Sequence, residues 1–164
     1  MKTVDGLFLH FLQDIYFAER QILTALPKME AAATSEELRD ALKSHREETE
    51  GQVARLKDVF KSVGKPAHGK TCEAIKGLLE EGEEVIEQYP NGAVRDAGII
   101  ACAQAVEHYE MARYRSLIAW ADVAGNEQAM TLLQETLSQE ENADLLLTRL
   151  ADSEINEQAA AAVA

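Results

Sequence analysis

Four glutamates stand along the chain as two matched pairs. Glu19 and Glu48 are 29 positions apart, and Glu110 and Glu140 are 30 apart. Close to them lie His45, three residues before Glu48, Glu107, three before Glu110, and Asp144, four after Glu140. Offsets of three and four bring side chains to one face of a helix. Carboxylates converging from several helices with a single imidazole among them form a donor set for hard cations, and such oxygen-rich sites suit iron or manganese better than zinc or copper. A buried carboxylate with no partner costs several kcal/mol, against a domain stability of only about 5–15 kcal/mol. Protons or cations must therefore neutralise these acids if they face inward. A divalent pair would balance the four glutamates, and a trivalent pair would balance Glu107 and Asp144 as well.

The helices that must position these groups are legible in the apolar pattern. Helix one is predicted over about Val4 to Thr34, with Phe8, Leu12, Ile15, Glu19, Ile22 and Leu26 recurring at threes and fours and a kink expected near Pro27. Ser35 followed by Glu36 and Glu37 is an N-cap with acids in the first turn, opening helix two, whose inward face holds Leu38, Leu42, His45, Glu48, Gln52 and Leu56. Glycines and prolines from Gly64 to Gly92 break the pattern around a weakly helical crossover. Helix three follows from about Ala93 to Ala124 and carries Ala103, Val106, Glu107, Glu110, Tyr114 and Leu117 inward. Gly125-Asn126 ends it, and helix four runs from about Glu127 to Ala151 with Met130, Leu133, Leu137, Glu140, Asp144 and Leu147 on its inner stripe. Residues 153–164 are expected to fray from a bundle spanning 1–152. Two short turns and one long crossover give an all-α, ferritin-like four-helix bundle in which helices two and three run parallel. Levelling the four glutamates as one layer puts His45, Glu107 and Asp144 in the next.

At these residues the chain resembles a known family. The segments Tyr16 to Gln21 (YFAERQ), His45 to Gln52 (HREETEGQ), Arg95 to Ala97 (RDA), Glu107 to Glu110 (EHYE) and Glu140-Glu141 are similar to those of the YciE/YciF family of bacterial ferritin-like proteins, over almost the whole chain. The resemblance implies a di-iron carboxylate centre, a link with bacterial stress responses, and a homodimer or larger assembly. The wider superfamily uses Glu-x-x-His on two helices. Here His45 precedes Glu48, and Asp144 stands where the second histidine would be, with Glu107 the candidate to compensate.

The leading functional expectation is a di-iron oxidoreductase reacting with dioxygen or peroxide, with two iron ions, or manganese, bridged by Glu48 and Glu140 and capped by Glu19 and Glu110. Iron binding without turnover and a metal-free stress scaffold are the alternatives. A two-carboxylate glycosidase fits poorly, because the acids lie inside a narrow bundle rather than a sugar-sized cleft. The 164 residues carry 29 acidic against 16 basic side chains, net −13, which argues against nucleic acid and membrane surfaces. Cys72 and Cys102 are too few for a disulfide framework, so a reducing cytoplasm is expected. Tyr16 and Tyr114 are read as core aromatics, Gln52 as a hydrogen-bonding neighbour of the site and His108 as a surface residue.

Overall fold

The computed structural model describes residues 3–162. The order is α1 (Val4–Ala32), α2 (Glu36–Ser62), α3 (Glu73–Gln88), α4 (Ala93–Val123), α5 (Glu127–Leu150), a single π-helical turn (Ala151–Ile155) and α6 (Asn156–Ala161). There is no strand among the described residues, and no helix there is long and apolar enough to cross a membrane.

Local chemistry places the boundaries. Thr3 caps α1 by accepting from Gly6 N, Ser35 caps α2 by accepting from Leu38 N, and Asn126 caps α5 by accepting from Ala129 N. Gly125, at φ +67, supplies the left-handed turn that ends the α4–α5 connection. Pro27 lies inside α1, which continues through it as helix.

The four long helices pack in a ring, α1 against α2 and α4, and α5 against α4 and α2. Two hydrogen-bonded clamps fix their directions. At one end the Asp96 carboxylate, in the first turn of α4, accepts from Thr34 N and Ser35 N at 2.8 Å each, while Arg95 donates to Ala32 O at 2.7 Å. At the other, Asn126 donates to Ser62 Oγ at 3.1 Å. The start of α4 therefore sits beside the start of α2, and its end beside the end of α2, so the two run in the same direction. α3 covers α4 and α1. Gly98 lets it approach, since a Cβ there would lie 2.6 Å from Val85 Cγ1. Its entry is pinned by a buried chain of bonds: Cys72 Sγ lies 2.9 Å from the Tyr109 hydroxyl, which donates to Asp14 Oδ2 at 2.8 Å.

Two sequence expectations change here. Of residues 153–164, expected to fray, 153–161 are helical, because Ile155 is buried and this segment packs on α4, and 163–164 lie outside the described residues. The inner stripe of α5 is turned slightly: Leu133, Glu140 and Leu147 are buried as expected, but Ala129 and Thr136 are buried in place of Met130 and Leu137, which with Asp144 are half-buried. Thr136 turns inward because Arg55 of α2 reaches it, donating to its Oγ1 at 2.8 Å and to Gln139 Oε1 at 3.1 Å.

Candidate metal centre

The buried faces of α1, α4 and α5 carry acid into the core, and that of α2 carries an imidazole. Glu19 from α1, Glu107 and Glu110 from α4, and Glu140 from α5 are at most 2% exposed, and His45 from α2 is 7% exposed. Ligand atoms of His45, Glu107, Glu110 and Glu140 all lie within 4.8 Å of one another. His45 Nε2 is 3.0 Å from Glu107 Oε1 and 3.9 Å from Glu140 Oε2. The Tyr114 hydroxyl donates to Glu19 Oε1, and Glu19 in turn meets Glu110.

Hydrogen bonding does not satisfy this cluster. Both carboxylate oxygens of Glu110 and of Glu140, Oε2 of Glu19 and of Glu107, and both ring nitrogens of His45 are buried without an aligned hydrogen-bond partner. His45 Nε2 and Glu107 Oε1 attract at short range although their geometry is not that of a directed bond. Buried polar atoms are nearly always paired in native proteins. Here eight such atoms, six carboxylate oxygens and two ring nitrogens, stand in one place.

The charges show how the cluster stands without cations. Burial pushes the Glu19 carboxyl up from 4.5 to about 7, with the Tyr114 hydroxyl and the His45 charge holding it from rising further. Burial and the nearby Glu19, Glu140 and Glu107 charges push Glu110 well above the usual carboxylate range. Burial and Glu107 do the same for Glu140. For Glu107 burial works upward, but the His45 charge and contact prevail and hold it lowered. His45 is the converse: burial opposes its charge, yet Glu107, Glu48 and Glu140 raise it well above the usual histidine range. The metal-free cluster is thus one ion pair, Glu107 with His45, surrounded by carboxyls that retain protons near neutrality. Each such proton is one a cation would displace.

Of the seven residues expected at the site, five converge: Glu19, His45, Glu107, Glu110 and Glu140. Two do not. Glu48 lies at the margin, its side chain 39% exposed and its Oε2 3.8 Å from His45 Nδ1. Successive helical residues turn by about 100°, so a position three after His45 is rotated about 60° from the buried line through Leu42, His45, Thr49, Gln52 and Leu56. Asp144 lies off the cluster on the α4 side, accepting from Gln104 Nε2 at 3.0 Å, with His108 Nε2 at 3.2 Å. The rotation of α5 described above is the reason. His108 is a surface residue as expected, 67% exposed. Tyr114 has the hydroxyl partner expected of it, and Tyr16 packs edge-on against Phe60. Gln52 is buried about two helical turns beyond His45 and donates to Gln139 Oε1 at 3.4 Å. The role of Asp96 and the Cys72–Tyr109–Asp14 chain were not legible: each joins residues more than 30 positions apart, where local periodicity carries no signal.

Comparison with known proteins agrees with this architecture. The family model described as a domain of unknown function, DUF892, matches residues 3–160. Protein YciF of Escherichia coli strain K12 is 43% identical over 160 residues, covering 97% of this chain and 96% of that protein. The crystal structure of the E. coli stress protein YciF superposes with a TM-score of 0.91, covering 95% of this chain and 99% of that one. YcfI of Rhodopseudomonas palustris, described provisionally as a structural protein, is 46% identical with a TM-score of 0.87, covering 89% and 93% of the two chains. A protein from Xanthomonas campestris, at 22% identity and a TM-score of 0.68 over 90% of this chain and 91% of that one, shares the fold. The chain that carries this buried cluster of acids and one imidazole belongs to the DUF892 family and is of YciF type.

Proposed function

We propose that this chain is a ferritin-like, metal-binding stress protein whose core takes up a pair of hard cations, iron foremost and manganese second. The observation that carries this reading is the set of buried, unpartnered donor atoms on Glu19, His45, Glu107, Glu110 and Glu140. His45, Glu107, Glu110 and Glu140 would hold the ions, and Glu19 would extend the site beyond Glu110 on the Tyr114 side. An iron pair held there would supply redox chemistry toward dioxygen or peroxide. The chain's own residues prepare the place. Tyr114 fixes the orientation of Glu19, the Glu107 contact holds the His45 ring in position, and Leu12, Ile15 and Ile22 on α1 exclude bulk water. The relationship to a stress protein supports a role in oxidant or iron handling. A homodimer belongs to the same reading, supported by exposed Val4, Leu7 and Val123.

Metal analysis of protein purified after growth with iron tests this. We expect about two ions per chain, and a Glu110→Ala variant that retains markedly less. Less than one ion per chain, unchanged by the substitution, would overturn it. A second reading, the metal-free scaffold, is favoured by the protons that Glu19, Glu110 and Glu140 retain, which let the fold stand without ions, and by the description given to the R. palustris relative. Under that reading a chelator leaves the melting temperature unchanged, whereas a bound cation makes chelation lower it.

A further inference from the structure

Beside the acid cluster, and sharing His45 and Glu107 with it, is a cavity of about 120 Å³. Its floor is apolar and drawn from α1, α3 and α4, through Ile22, Leu26, Met29, Leu79, Ala103 and Val106. It opens between α2 and α5, where small or short side chains stand opposite each other, Ala41 and Ser44 on one helix and Asn142 and Ala143 on the other. Leu147 and Leu42 are buried in its walls, and Leu146, 43% exposed, stands at its mouth.

One end is polar. Glu48, His45 and Glu107 line it, and His45, nine-tenths buried, has no aligned partner for either ring nitrogen. Two carboxylates against one imidazole make this end acceptor-rich. Glu48 is outside the group of side chains that converge within 4.8 Å of one another, and its partly exposed carboxylate reaches that group only through His45 Nδ1, at 3.8 Å. The rest of the lining offers no charge. Cavities lined by Leu, Ile and Phe stay dry, and one of roughly 150 Å³ accepts a six-carbon ring. A cavity of similar size, open between α2 and α5, apolar along its floor and with acids in its lining, suits a short chain with a cationic head.

We propose that this cavity binds a small primary alkylamine of about five carbons, its chain among Leu26, Met29, Leu42 and Leu147 and its ammonium on Glu48. The assignment rests on the cavity and its lining, of which His45 and Glu107 are shared with the cation reading.

Ligand-observed NMR titration of the protein as purified tests it with three probes of equal chain length: n-pentylamine, n-pentanol and pentanoate. The amine is expected to bind at least about tenfold more tightly than pentanoate, with the alcohol between them. Glu48→Gln should weaken the amine by about tenfold and leave the alcohol unchanged. Ala143→Leu, which fills the mouth, should abolish binding of all three while leaving metal content at the wild-type level. Pentanoate binding as tightly as the amine overturns the assignment of the head, and unchanged binding in Ala143→Leu overturns the cavity as the site. Absence of probe binding together with self-association that Leu146→Ser abolishes would assign the cavity to a second copy of the chain and also overturn the proposal. Loss of amine binding with metal content intact separates failure here from failure of the cation reading.

Discussion

Replacing Glu110 by Gln keeps the shape of the side chain and removes a charge that has no aligned hydrogen bond in the core. In metal-free protein this relieves repulsion with Glu19, Glu140 and Glu107. Glu110→Gln should therefore raise the stability of the metal-free protein by about 1 kcal/mol in alkaline buffer. The same change should weaken cation binding by ten- to a hundredfold or more, the range seen even for residues that only support a ligand. Urea unfolding with chelator and metal titration without it measure the two arms, and a variant that loses stability in both would show Glu110 to be a packing residue. The sequence made Glu110 legible because Ala103, Val106, Tyr114 and Leu117 define its face without ambiguity. It made Asp144 misleading. The apolar choice of Leu137 over Thr136 misplaced the edge of the inner face of α5, and only the distant Arg55 resolves it.

The existence of the helices, their caps and their short turns were legible because the signals are local: Ser35 before two acids, and Gly125 before Asn126. What joins one helix pair to the other was not. Asp96 accepts two backbone N–H groups at the α1–α2 turn from 61 and 62 positions away, and the segment that carries it was conspicuous in sequence without a physical role. Asp96→Ala leaves those donors and the turn unsupported, so it should cost about 1–3 kcal/mol in urea unfolding, with Asp96→Asn recovering part of the loss. A cost within a few tenths of a kcal/mol would show that water replaces the carboxylate. The continuation from Leu150 into α6 follows similar logic, because Ile155 finds its burial against α4 rather than within its own segment.

At the scale of the whole molecule, the retained protons make stability depend on pH in a definite direction. Glu19, Glu110 and Glu140 have folded values above their unfolded ones, as does His45, so the native metal-free chain binds more protons than the unfolded chain near neutrality. Their contribution is present below the unfolded values and is lost as pH rises through the folded ones. Glu107, held lowered, has the opposite sign, but its window lies in acid. The melting temperature of metal-free protein should therefore fall as pH rises from about 6 to 8, around the value of about 7 for Glu19. Added iron or manganese should raise it, by an increment that grows over the same range because fewer protons remain to be displaced. A flat or rising metal-free profile would contradict the burial of these acids. The division of the donors along the chain has a wider consequence. His45 lies before the exposed stretch of residues 64–71, and Glu107, Glu110 and Glu140 lie after it. An ion held by both groups would close a loop of about 60 residues, removing chain entropy from the unfolded ensemble much as a disulfide does. Such a cross-link could be inserted when a cation is supplied and withdrawn when it is taken away.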